Sequence, residues 1–273
     1  MTADQPRLHL RVVPGADADA QPVVFFHGAW HASWVWAEWL PRFAAAGFYP
    51  VAPDLRGHGE SAGSWKKARL ADYVTDARDL ANRLDREPVL VGHSLGGLII
   101  QHLVTERVFP AAVLIAPIPG RYPPHVIARF ALRHPLVMAR ANLSRDLKAL
   151  VATPELVRET LFGPETPEET IRACHERLTG ASPVLFREMV QRPPGGPRPG
   201  TPTAIVAPAA DASFMPAMQR ALARKLGAEV FEIERAGHDV LLEPTATKVI
   251  DLIVSWLRSA EKANGRALME VDG

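Results

Sequence analysis

The sequence predicts an α/β fold with a mostly parallel central sheet flanked by helices. Three observations carry this. Short apolar runs of the buried-strand type recur at 22–26, 48–52, 88–91, 112–116, 203–207 and 229–233. Segments of helical periodicity separate them, so right-handed crossovers rather than hairpins must join the strands. The chain has 273 residues and is 47% hydrophobic, enough to bury one sizeable core.

Each element has its own signature. Leu8-His9-Leu10-Arg11-Val12-Val13 alternates as an edge strand does, and 14–21 is polar and turn-like. After strand 22–26, Trp36, Trp39, Leu40 and Phe43 share one helical face that ends at Gly47. The stretch 70–86 carries a stripe of Leu70, Tyr73, Val74, Ala77, Leu80 and Leu84. Helices are expected at 95–107, at 214–226 and at 245–259, the last burying Val249, Ile250, Ile253, Val254 and Leu257. A polar, frayed tail is expected from 260 on.

The rhythm breaks between 117 and 200. Thr153-Pro154, Thr166-Pro167 and Ser182-Pro183 each read as a helix start, with the hydroxyl as N-cap and proline in the first turn. Thr166-Pro167-Glu168-Glu169 also has the form of a capping box. The stretch closes in the linker-like Arg192-Pro193-Pro194-Gly195-Gly196-Pro197-Arg198-Pro199-Gly200. The expected organisation is a core of 1–120 and 201–273, with 121–200 inserted as a helical cap, or lid.

Composition excludes several function classes. A formal net charge of +1 argues against nucleic acid or an anionic membrane as the main partner. No apolar run approaches membrane-spanning length, so stable insertion is not expected. The N-terminus lacks the basic and apolar regions of a signal peptide, and the single cysteine, Cys174, cannot form an intrachain disulfide. A cytoplasmic location is therefore the expectation.

The chemistry centres on residues 92–96, which read Gly92-His93-Ser94-Leu95-Gly96 between an apolar strand and an apolar helix. A G-x-S-x-G pattern in that context is a nucleophile elbow. Ser94 stands on a sharp turn, and small neighbours let strand and helix approach each other. The Leu95 N–H opens the helix and points at a developing oxyanion. A serine needs a base, and His238, in Ala236-Gly237-His238 after the last strand, lies at the same sheet edge. Asp211, after strand 203–207, is the only carboxylate between Gly195 and Lys225 and is the expected acid. Strand 22–26 runs into His27-Gly28-Ala29-Trp30, where Ala29 is expected to give the second oxyanion N–H. His27 and His58 are read as loop-ordering residues, and His31 as local structure. His93 is open between pocket and packing.

These segments carry a resemblance. His27-Gly28-Ala29-Trp30-His31-Ala32-Ser33-Trp34-Val35-Trp36 resembles the oxyanion loop of small α/β-hydrolase esterases, including the plant methylesterase and hydroxynitrile lyase group. Asp54-Leu55-Arg56-Gly57-His58-Gly59-Glu60-Ser61 is similar to the post-strand loop of bacterial carboxylesterases and lysophospholipase-like hydrolases. The order Ser94, Asp211, His238 is also that of the α/β-hydrolase fold. The resemblance departs at Ala207-Pro208-Ala209-Ala210-Asp211, where the family often has a glycine-led turn. Haloalkane dehalogenases and epoxide hydrolases place an aspartate at the elbow, where this chain has Ser94.

The function expected from these residues is hydrolysis of a small-molecule carboxylic ester, of small to medium or lipid-like acyl group, through an acyl-enzyme on Ser94 with no metal or organic cofactor. Thioester hydrolysis, a hydroxynitrile lyase, a carbon–carbon bond hydrolase and a ligand-binding module without chemistry are the alternatives. Trp30, His93, Phe130, Met138 and Phe162 are the expected substrate contacts. Val126, Ile127, Leu136, Val137, Leu143 and Leu161 are further candidates for the pocket wall. Residues 121–150 hold six Arg and Lys against one Asp, a bias that suits an anionic acyl group, coenzyme A or a solvated helix face.

Overall fold

The structure is a computed structural model that describes residues 6–119, 124–191, 194 and 200–271, excluding the side chains of 124–127, 189–191 and 263–271. Among the described residues, seven strands form one sheet: β1 (Leu10–Val12), β2 (Gln21–Phe26), β3 (Phe48–Pro53), β4 (Val89–His93), β5 (Ala112–Ile115), β6 (Thr203–Pro208) and β7 (Glu229–Ile233). Their order is β1-β3-β2-β4-β5-β6-β7, with β1 antiparallel at the edge and every other pairing parallel. All seven expected strands are present. β4 carries the elbow and lies mid-sheet, hydrogen-bonded to β2 and β5.

Period-two alternation sorts the strand side chains into two apolar layers. Val23, Phe25, Val89, Val91, Val113 and Ile115 face one side, with Trp36, Trp39, Phe43, Val249 and Ile253. These last residues come from the 3-10 turn Ser33–Trp36, α1 (Trp39–Ala45) and the C-terminal helix Ala246–Val271. Val24, Phe26, Leu90, Ala112 and Leu114 face the other side, against α2 (Leu70–Asn82) and α3 (Leu95–Glu106). Such continuous apolar strands are what a sheet covered on both faces requires.

Between β5 and β6 the chain forms α4 (Pro124–Arg133), α5 (Pro135–Ser144), the 3-10 turn Leu147–Val151, α6 (Pro154–Leu161), α7 (Glu168–Arg177) and α8 (Pro183–Gln191). α9 (Pro216–Leu226) and α10 (Ala246–Val271) complete the chain. Thr153 caps α6, its Oγ1 accepting the Leu156 N–H at 3.3 Å. Ser182 Oγ accepts from Val184 at the start of α8. The Thr166 expectation needs correction. α7 begins at Glu168, Pro167 is its N-cap, and Thr166 Oγ1 instead donates to Glu243 at 3.2 Å. The C-terminal tail also departs from expectation, since α10 continues to Val271. Alanine, lysine, arginine, leucine and glutamate dominate that segment, and one glycine costs a helix only about 1 kcal/mol.

Candidate active site

The elbow turns on Ser94, whose φ of 51° and ψ of −109° lie outside the ordinary regions for an L-residue. Its N–H donates to Ile115 O at 3.0 Å, which ties the strained turn to β5. Leu95 is the first residue of α3, so its N–H has no carbonyl within the helix to bond. Gly96 makes the turn sterically possible. A Cβ there would lie 2.1 Å from Phe26 O and 2.6 Å from Phe26 C, both backbone atoms of β2. Gly96→Ala is therefore expected to destabilise the fold by at least about 2 kcal/mol, read as a fall in the thermal midpoint.

β6 and β7 position the next two groups. Asp211 follows β6, and its Oδ1 accepts the N–H groups of Ser213 at 2.7 Å and Phe214 at 2.8 Å. Its Oδ2 lies 2.9 Å from His238 Nδ1. His238 stands in a loop braced on both sides. Gly237 N–H donates to the Glu243 carboxylate at 3.0 Å, and Asp239 N–H donates to Leu161 O at 2.7 Å. Burial alone pushes the His238 imidazole down. The Asp211 charge and hydrogen bond, with a contribution from Asp239, outweigh it and raise His238 above the ordinary imidazole value.

The segment that follows β2 is held peptide by peptide. His27 Nε2 accepts the Leu55 N–H at 2.9 Å, so its Nδ1 carries the proton and donates to Gly28 O at 2.8 Å. Burial, with His58 beside it, holds His27 well below the ordinary value, so the ring stays neutral. His31 Nδ1 lies 2.9 Å from Ala29 O. Trp30, at φ 66°, has its carbonyl held by the N–H and hydroxyl of Thr179 at 2.7 and 3.0 Å. Gly28 lets this loop close on the elbow, since a Cβ there would sit 3.2 Å from Ser94 Cβ.

Behind His238 lies a buried polar cluster. His31 Nε2 is 2.9 Å from Asp239 Oδ2, and His93 Nε2 is 3.0 Å from the His238 carbonyl and 3.6 Å from Asp239 Oδ1. Burial, then the neighbouring His238, pushes His93 down to about 3, so it is neutral and donates through Nε2. Donor atoms of His31, His93 and Asp239 lie within 4.8 Å of one another. Both His31 nitrogens and His93 Nε2 meet protein oxygens, while His93 Nδ1 and Asp239 Oδ1 are buried with no hydrogen-bond partner among the described residues. Asp239 and Glu243 were not assigned from the sequence. A carboxylate beside a histidine looks like any polar loop residue, and only burial and convergence reveal it.

Ser94 and His238 both face a cavity of about 720 Å³, walled mainly by apolar side chains. Ala29, Trp30, Phe130 and Met138 line it, as do Ile118, Leu185 and Phe214, which the sequence reading did not select. His93 and Phe162 do not line it. His93 is 1% exposed within the polar cluster, and Phe162 packs in the same apolar layer as Leu161 and Val157. Leu136 and Leu143 are on the surface, not in the pocket wall. The Val126 and Ile127 side chains lie outside the described residues.

The sequence pattern of the alpha/beta hydrolase family matches residues 23–249, from β2 into α10. The chain belongs to the alpha/beta hydrolase family. Among relatives of this alpha/beta hydrolase, the pFDCC methylesterase MES16 of Arabidopsis thaliana is 24% identical over 263 residues, 89% of this chain and 99% of that protein. The non-heme chloroperoxidase CPO-A1 of Kitasatospora aureofaciens is 36% identical over 104 residues, 36% of this chain and 38% of that protein. This match spans less than two fifths of the chloroperoxidase. In three dimensions, a thermophilic esterase from Thermogutta terrifontis superposes with a TM-score of 0.76 at 23% identity, covering 96% of both chains. That likeness supports the fold.

Proposed function

We propose that this alpha/beta hydrolase cleaves carboxylic esters through an acyl-enzyme on Ser94, with 121–200 acting as the cap that walls its pocket. The observation that carries the reading is the 2.9 Å contact between Asp211 and His238, on a histidine that opens onto the same cavity as the strained Ser94. His238 takes the Ser94 proton as Oγ attacks the ester carbonyl, while Asp211 holds the imidazole with its proton on Nδ1 and stabilises the imidazolium. The Ala29 and Leu95 N–H groups bind the developing oxyanion. His238 then protonates the leaving alcohol and activates the water that releases the acid.

The reading predicts a pH profile. Attack needs neutral His238, so kcat/KM falls as pH drops through its pKa. Because that value is raised, the acid limb lies above the ordinary imidazole value of about 6.5. Asp239→Asn removes an anion that favours the imidazolium. The limb should then move to lower pH.

The direct test is hydrolysis of p-nitrophenyl esters from acetate through butyrate to octanoate. The apolar cavity predicts kcat/KM rising with acyl length, since each buried methylene contributes about 0.8 kcal/mol. An absence of turnover on every ester and thioester, despite covalent reaction at Ser94, would turn the assignment to a non-hydrolytic member of the fold.

A further inference from the structure

We infer that the α4–α5 hairpin is a docking surface for an anionic lipid interface. The first observation is three leucines that do not pack. Leu132, Leu136 and Leu143 are 83%, 83% and 89% exposed. On α5, Leu136, Ala139, Arg140 and Leu143 are all exposed at the i, i+3, i+4, i+7 spacing of one helix face. On α4, exposed Leu132 lies beside Arg129 and Arg133, which are exposed and also line the cavity. Scattered exposed leucines need no explanation, but leucines gathered on one face and interleaved with cations mark a contact surface.

The second observation is charge. Residues 121–150 hold six Arg and Lys against one Asp, a local excess that the whole-chain charge of +1 conceals. Arg133 is neutralised by Glu159 at 2.9 Å. Arg129, Arg140 and Arg145 meet no carboxylate among the described residues. An amphipathic helix with cations beside apolar anchors suits an anionic headgroup layer, in which leucines enter the acyl boundary and arginines meet phosphate. A second copy fits less well, because a two-fold contact would bring the same unpaired arginines face to face.

The third observation is continuity with the cavity. Met138, Ala141 and Asn142, on the opposite side of α5, line it, and so do Arg129, Phe130 and Arg133 of α4. Docking through the outer face therefore places the cavity beside the lipid. If the esterase reading holds, esters dissolved in that surface become its substrates. Docking itself does not depend on that reading.

The test is co-sedimentation of the 273-residue protein with phosphatidylcholine vesicles, with or without about one third phosphatidylglycerol. Binding is expected on the anionic vesicles, weaker on the neutral ones, and reduced at least about ten-fold by raising salt from about 0.05 to 0.5 M. The double variant Leu136→Asp, Leu143→Asp should lose binding at least about ten-fold while hydrolysing p-nitrophenyl acetate in buffer like the wild type. Arg140→Glu gives an independent loss if the double variant folds poorly. Equal vesicle binding by wild type and both variants would overturn the inference. So would no binding to anionic vesicles at low salt, or self-association in light scattering that the same variants abolish. An inactive wild type that still binds vesicles would overturn the esterase reading and leave the docking inference standing.

Discussion

Ser94→Ala is expected to lower kcat/KM for ester hydrolysis by about five to six orders of magnitude, with the fold and KM little changed. The size follows from the covalent route, because the base, the acid and the cavity remain but no oxygen is left to carry the acyl group. The residual rate should be that of an oxyanion hole acting on water, about three orders above the uncatalysed reaction. Ser94 is 7% exposed and is held by a backbone turn, so the loss of one hydroxyl should leave the thermal midpoint within a few degrees of wild type. The check is a steady-state assay of both proteins beside a thermal melt. A variant within a hundred-fold of wild type would exclude Ser94 as the nucleophile.

Asp211→Asn should cost about four orders of magnitude in kcat, for a different reason. Oδ1 of Asp211 accepts two backbone N–H groups, from Ser213 and Phe214. In the asparagine variant the amide oxygen must occupy that place, since an NH2 there would face two donors. The NH2 then points at His238 Nδ1, 2.9 Å away from the atom it replaces. His238 must accept at Nδ1 and carry its proton on Nε2, and it cannot take one from the serine. KM should change little, because Asp211 does not line the cavity. Comparing kcat and KM separately, with the His238 tautomer read from imidazole nitrogen shifts, tests this. Wild-type turnover with the proton still on Nδ1 would contradict it.

The legible parts of the fold were those written in short-range pattern. Strands β2 to β6 follow from apolar runs, because a strand buried on both faces has few polar positions to confuse the reading, whereas β1 shows in its edge-strand alternation and β7 in a run that keeps Glu229 and Glu232 exposed. Ser94, His238 and Asp211 could be selected because each follows a strand, and strand ends of a parallel sheet share one edge. The pocket was harder to read. Leu136 and Leu143 look like wall residues in sequence and prove to be exposed, while Phe214 and Leu185 line the cavity without a distinguishing motif. Helical periodicity says which residues share a face, but not which face meets solvent in an insertion that has no sheet to anchor it. Asp239 and Glu243 were missed for a related reason. Their roles come from segments far apart in the chain, with His31 lying 208 positions before Asp239.

The most direct measurement of the central claim is reaction of the wild-type protein with a fluorophosphonate, followed by tryptic mapping of the adduct. The account predicts one adduct, on the peptide spanning 87–107, at Ser94, with a labelling rate that falls below the His238 pKa. An unlabelled protein, or an adduct on any other residue, would contradict it.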